Sequence, residues 1–262
     1  MALKIPHRGR IAVVELFGSI GMALRSDEYV PMFEALRRSK AIKAVVLDID
    51  SSGGEVSTSA YLRLAVSKLA AEKPVVAFVR GTCASGAYFV GCAAQKIVAM
   101  PYAVIGSIGV LSFWPVISEL MERLGVQVEV SKSAELKDMH AFWRPPTTRE
   151  REKAQALVDA FHEEFVSTVA EARGLEAEAV QALATGEVFW AREALQLGLV
   201  DELGDQERAF ELAMELGQVP RRLIYVKPKR PRWRRWMGRF ADSLLAEIGP
   251  HVERWLLPRL WF

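Results

Sequence analysis

Gly81-Thr82-Cys83-Ala84-Ser85-Gly86-Ala87-Tyr88-Phe89 is the stretch from which the rest of the chain can be read. Before it, Pro74 to Val79 is an apolar, β-branched run with the character of a buried strand. After it, Ala87 to Gln95 holds small and apolar residues interrupted only by Gly91, which predicts a packed helix. A serine at such a joint sits at a helix N-terminus, where unpaired N–H groups and the helix dipole favour negative charge. Acyl transfer needs that environment, because an oxyanion develops as a serine attacks a carbonyl. The same residues also suit a serine that simply caps a core helix. The stretch alone leaves both open.

Outward from this joint, strand and helix patterns alternate. Ile11 to Leu16 and Ile42 to Ile49 are strand-like, and Glu28 to Arg38 and Ser57 to Ala71 are helical. Between the second strand and its helix lies Asp50-Ser51-Ser52-Gly53-Gly54, a turn of residues that tolerate unusual backbone angles. Downstream, Lys96 to Met100 is a further strand, followed by the stretch Ala103 to Leu111, with Pro115 to Leu124 a helix and Val126 to Val130 an alternating strand. Thr147 or Thr148 with Glu150 opens a long amphipathic helix to about Ala172, with Ala154, Leu157, Val158, Phe161, Phe165, Val166 and Val169 on its apolar face. Shorter helices are expected over Ala177 to Ala184, Ala191 to Leu197 and Gln206 to Leu216. This order predicts an α/β fold of βαβ units, with a mainly parallel sheet and helices outside. A domain of residues 1–220 is expected, followed by an extension over 221–262.

Composition narrows the function classes. With 262 residues, 51% of them hydrophobic, the chain can bury a large core, and a net charge of +2 gives no case for a nucleic-acid partner. The two cysteines, Cys83 and Cys92, flank Ser85 and do not form a disulfide framework, which points to a reducing compartment. Residues 1–10 contain no apolar run of signal-peptide or membrane-spanning length, so a cytoplasmic location is expected. No zinc-ligand spacing or phosphate-binding glycine loop occurs, and neither metal nor cofactor is expected.

A serine nucleophile needs a base. Of four histidines, His7 and His251 lie near the ends and His162 lies within the long helix, which leaves His140 as the histidine candidate. A desolvated lysine is the other option, since a neutral ε-amine can take the serine proton. Lys137 stands out for this, just after the expected strand and among small and polar residues. Cys83 as nucleophile has no histidine nearby and reads better as a small core residue.

The Gly-x-x-Ala-Ser-Gly-x-Tyr pattern at Ser85, Asp50 to Gly54, Gly106-Ser107-Ile108-Gly109-Val110, Lys137-Asp138 and the stretch Gly186 to Asp201 occur in an order that resembles the signal peptide peptidase A (SppA) family. The resemblance covers roughly Ile11 to Leu216. It implies the fold of ClpP and the crotonases, with Ser85 as nucleophile, Lys137 as general base and Ser107 orienting the lysine. It further implies that Gly53 and Gly86 supply the oxyanion N–H groups. In short members of that family serine and lysine meet across subunits, which implies a ring-like homo-oligomer. Ser52 stands where the family usually has proline, and Ala87 where glycine is frequent. The membrane anchor that typical members carry before the domain is not found in this sequence. The expected activity is serine endopeptidase cleavage of extended, apolar segments, such as signal-peptide remnants, through an acyl-enzyme. A crotonase-type acyl-CoA enzyme and a non-catalytic membrane scaffold are the alternatives.

Beyond Lys227-Pro228-Lys229-Arg230-Pro231, tryptophans, leucines and arginines recur at helical spacing over 232–262. An amphipathic helix of that kind suits attachment to an anionic membrane surface. It also suits packing on a neighbouring subunit.

Overall fold

The structure, a computed structural model, describes residues 9–229. The first half alternates strictly. β1 (Arg10–Phe17), α1 (Ser26–Arg38), β2 (Ile42–Ser51), α2 (Val56–Ala70), β3 (Val75–Ala84), α3 (Gly86–Gly91) and β4 (Lys96–Ala99) follow one another, and β5 (Val104–Gly106) comes after a turn. The second half is mostly helical: α4 (Ser118–Arg123), α5 (Thr148–Arg173), α6 (Ala177–Leu183), β6 (Val188–Trp190), α7 (Ala191–Gln196), β7 (Glu202–Leu203), α8 (Gln206–Gly217) and β8 (Leu223–Val226).

All the strands join one sheet in the order β6-β5-β3-β2-β1-β8, with β4 and β7 branching from β3. Every pairing is parallel except that of β5 with β6. Parallel strands need crossover connections, and α1 and α2 supply them between the first three strands. The two faces of the sheet can be read along β1. Ala12, Val14 and Leu16 join the larger core beneath α1, α2, α3 and α5, while Ile11 and Val13 pack with Phe210 and Ala213 of α8. Strands buried on both faces are continuous apolar runs, which is how these segments read in the sequence.

Three expectations need correction. Val126 to Val130 forms no strand; its valines are 43–48% exposed. Alternation favours a strand only where a sheet edge is available to pair, and this segment pairs with no strand of the sheet. On α5, Leu157 and Phe161 of the expected apolar face are exposed, whereas Phe165, Val166 and Val169 are buried. The sheet also takes in β8, which pairs with β1 beyond residue 220. The helix expected over 232–262 lies outside the described residues. Among the described residues no helix is long and apolar enough to cross a membrane.

One polar cluster ties the helical half to the sheet. Asp201 accepts hydrogen bonds from Arg173 Nη1 at 3.0 Å, Lys96 Nζ at 3.2 Å and the Ile97 N–H at 2.8 Å. The Arg173 side chain is 7% exposed. Burial pushes the Asp201 carboxyl up, but the hydrogen bonds from Arg173 and Ile97 outweigh it and hold the group below its ordinary value. The stability this group contributes is therefore present above the ordinary carboxylate range and is lost as pH falls through the native value. Asp201→Ala leaves the Arg173 charge buried and unpaired, at a cost of about 3 kcal/mol. Urea unfolding should show a lower midpoint with an unchanged slope.

Candidate active site

β3 runs directly into α3, and the single residue between them is Ser85, with φ 51° and ψ −128°. A non-glycine residue in that region carries strain of about 1–3 kcal/mol and persists only where its surroundings fix it. Here they do. The Ser85 N–H donates to the Gly106 carbonyl at 2.8 Å, continuing the β3–β5 ladder, and the Ser85 carbonyl accepts from the Phe89 N–H at 3.0 Å, within the first turn of α3. On the other side Gly53, at φ 90°, lies against the joint: a Cβ on Gly53 would stand 2.7 Å from Ala84 O and from Gly86 N. Only glycine fits there.

The turn after β2 delivers two glycines with different surroundings. Gly53 is buried, and its N–H donates to Ser51 Oγ at 3.2 Å. Gly54 is exposed and, like Ser85, lines both cavities at this site, which Gly53 does not. Its φ of 151° accompanies a close approach to the Ile20 carbonyl, 2.1 Å from the position a Cβ would take. Gly54 leads into α2 and Gly86 begins α3, so two helix N-termini converge beside Ser85. A second, half-buried serine joins them. Ser107, at φ 48°, follows Gly106 of β5 and lines a cavity with Ser85. It is held from behind, where its N–H donates to the Glu187 carbonyl at 2.7 Å. The stretch Gly186 to Asp201 thus supports the Ser107 turn through β6 and the sheet edge through Asp201.

The first cavity, of about 580 Å³, is strongly apolar, with Val56, Ala60, Phe89, Val110, Phe161 and Phe165 among its walls. The second, of about 760 Å³, brings Ser107, His162 and Phe113 to Ser85. His162 lies on α5, with Nε2 3.3 Å from Gln181 Nε2. Nothing in the spacing of the helix marked it out. His140 instead packs at a tilt against Trp114, with ring centroids 4.3 Å apart, and lines neither cavity.

Lys137 is not among these residues. It sits on a short 3₁₀ turn, Glu135–Asp138, is exposed, and lines neither cavity. Cys83 is buried beneath the joint, and desolvation holds its thiol well above its ordinary value; burial likewise pushes Cys92 up to about 11. Both stay protonated and act as small core residues.

Residues 67–220 match the family model for peptidase family S49. The chain belongs to that family. A protein of Methanocaldococcus jannaschii that bears a protease name is 37% identical over 73% of this chain and 61% of its own. A similarly named protein of Synechocystis is 34% identical over 95% of this chain and 90% of its own. The chloroplastic serine protease SPPA of Arabidopsis thaliana is 28% identical over 94% of this chain, which spans 37% of that protein. A ClpP1 variant of Listeria monocytogenes shares the fold at TM-score 0.52 and 16% identity, over 75% of this chain and 93% of its own. A variant of the membrane-bound stomatin-specific protease 1510-N does so at TM-score 0.55 and 13% identity, over 85% of this chain and 99% of its own. The S49 chain thus has a ClpP-like fold.

The strain at Ser85 is measurable in the folded protein. Ser85→Ala keeps the unfavourable φ, whereas Ser85→Gly relieves it, so the glycine variant should be the more stable of the two by about 1 kcal/mol. Thermal unfolding of the two variants side by side would show it.

Proposed function

We propose that the protein is a serine endopeptidase in which Ser85 attacks the peptide carbonyl and Lys137 is the general base. What carries this is the Ser85 joint: a strained serine at a helix start, facing an apolar cavity, with glycine N–H groups beside it. Membership of peptidase family S49 supports the same chemistry. In the reaction, Ser85 Oγ bonds to the carbonyl carbon while its proton passes to the neutral Lys137 amine. The lysine returns that proton to the departing amine, and water then hydrolyses the acyl-enzyme. Ser107, next to Ser85, orients the amine.

For the oxyanion, Gly86 and Gly54 are the better pair of donors. The Gly53 N–H is engaged by Ser51, and Gly53 lines neither cavity. Gly53 serves instead as the residue small enough to let the turn lie against the serine.

Lys137 reaches a serine from a second copy. Its turn belongs to the segment between β5 and α5, which displays Leu111, Phe113, Leu120 and Leu124 at 54–83% exposure. Apolar side chains at that density suit a subunit contact, and a closed ring would bring each lysine to a neighbouring serine. The apolar cavity suits extended substrates with large apolar side chains. Attachment of residues 232–262 to a membrane surface would present such segments to the ring.

A fluorophosphonate probe and an unfolded protein substrate test this together. Labelling should be confined to Ser85, and Lys137→Ala should lower kcat by about 10³-fold or more. His162→Ala should stay within a few-fold of wild type, although His162 lines a cavity with Ser85. Mixing Ser85→Ala with Lys137→Ala should restore partial activity, because a mixed ring pairs an intact serine with an intact lysine. Full activity in Lys137→Ala, or loss of activity in His162→Ala alone, would transfer the role of base to the histidine.

A further inference from the structure

The turn that carries Lys137 is held by an ionic relay with buried carboxylates. Arg144 donates through Nη1 to Glu150 Oε2 at 2.8 Å and through Nη2 to Glu150 Oε1 at 2.5 Å, a two-pronged pairing. The same guanidinium reaches Asp138, with Nε 3.2 Å from Oδ2 and Nη2 2.9 Å from Oδ1. Asp138 is the residue after Lys137 and the last of the 3₁₀ turn. Glu150 is fixed independently of Arg144, because it forms the capping box of α5 with Thr147: its carboxylate accepts the Thr147 N–H at 2.8 Å.

We infer that Arg144 is a positioning residue for catalysis, locking the Lys137 turn to the first turn of α5 so that the amine is presented in one place. This rests on Lys137 acting as the base. The burial of the relay supports it: the Glu150 side chain is 2% exposed and that of Asp138 9%. Removing Arg144 leaves both carboxylates without their shared cation. Beside Arg144, both are held down to about 2, so the relay stays ionised at any pH where a neutral amine could act. Lys132 braces the other side of the turn, with Nζ 2.7 Å from Asp138 Oδ1 and 3.0 Å from the Glu135 carbonyl. Glu135, at the start of the turn, pairs with Arg149 of α5. The four-residue turn is therefore tied to the helix at both ends, while Lys137 between them is free to project. Arg144 itself lies outside every motif by which the chain is recognised.

The same helix reaches the cavity at Ser85 through Phe161, Glu164 and Phe165. A substrate side chain enclosed there contacts neither Arg144 nor the turn, so loss of the relay should spare binding and impair chemistry. The experiment compares Arg144→Ala, Arg144→Lys and Asp138→Asn with wild type and Lys137→Ala in the full chain, reading kcat, KM and melting temperature. Arg144→Ala should lower kcat about 10- to 100-fold and leave KM within about twofold. Millimolar guanidinium ion should recover part of the lost kcat in Arg144→Ala and none in Lys137→Ala. Arg144→Lys should not rescue, since an ammonium cannot bridge two carboxylates in fork geometry. Asp138→Asn weakens the pairing of the turn with both Arg144 and Lys132, leaves the α5 cap intact and should show the same selective loss in kcat. If kcat in Arg144→Ala falls only in step with the folded fraction, or guanidinium restores nothing, the residue is structural and the inference falls. Wild-type kinetics in Arg144→Ala while Lys137→Ala is inactive would overturn it without touching the dyad. An active Lys137→Ala would remove the dyad and this inference together.

Discussion

A serine held at φ 51° must be gripped on both sides, and most of this fold can be understood as the grip. On one side the β3–β5 ladder runs one residue past Ala84, so that the Ser85 N–H is spent on Gly106. On the other, β2 carries Gly53 up against the joint, closer than any side chain would allow. The pairing of β3 makes this possible: its first half, Val76 to Val79, pairs with β4 and its last three residues pair with β5. The strand changes neighbours just before the serine. Parallel α/β sheets form ligand crevices where strand connections diverge, and the Ser85 cavities open at the carboxyl end of β3.

The parts of the molecule that follow from local chemistry were legible in the sequence. Continuous apolar runs at Ile11, Ile42 and Pro74 are buried strands, and the Thr147–Glu150 pair caps the long helix as its residue types require. Ser85 was legible for the same reason, as a small residue at a strand–helix joint. The rest depends on what meets what across the fold. Gly53 and Gly54 are equivalent in a sequence, yet one N–H is turned to Ser51 and the other residue faces the cavity. His162 was indistinguishable from other helical residues until α5 was seen to cross the serine with that face. Val126 to Val130 has the alternation of a strand but no edge to join.

Ser85 and Lys137 are set by different physics. Ser85 is fixed by backbone hydrogen bonds and apolar packing, which respond weakly to salt. The Lys137 turn is fixed by carboxylates and guanidinium groups, of which the Arg149–Glu135 pair is open to solvent, whereas the relay sets two buried carboxylates, Asp138 and Glu150, around a partly exposed Arg144. Screening acts on the first and largely spares the second. The burial of these two carboxylates is what makes an otherwise exposed segment definite in position.

The cavity beside Ser85 is walled by α2 and α3, which belong to the sheet crossovers, and by α5, which makes none of the hydrogen bonds at the serine joint. Phe161 and Glu164 stand on that third wall at exposed positions. Mutations there change the shape and charge offered to a side chain while leaving the hydrogen bonds around Ser85 intact. If Ser85 is the nucleophile proposed above, lineages descended from a common ancestor can drift in what they cut without passing through an inactive intermediate, because inheritance of the chemistry and variation in taste then fall on separate pieces of the chain.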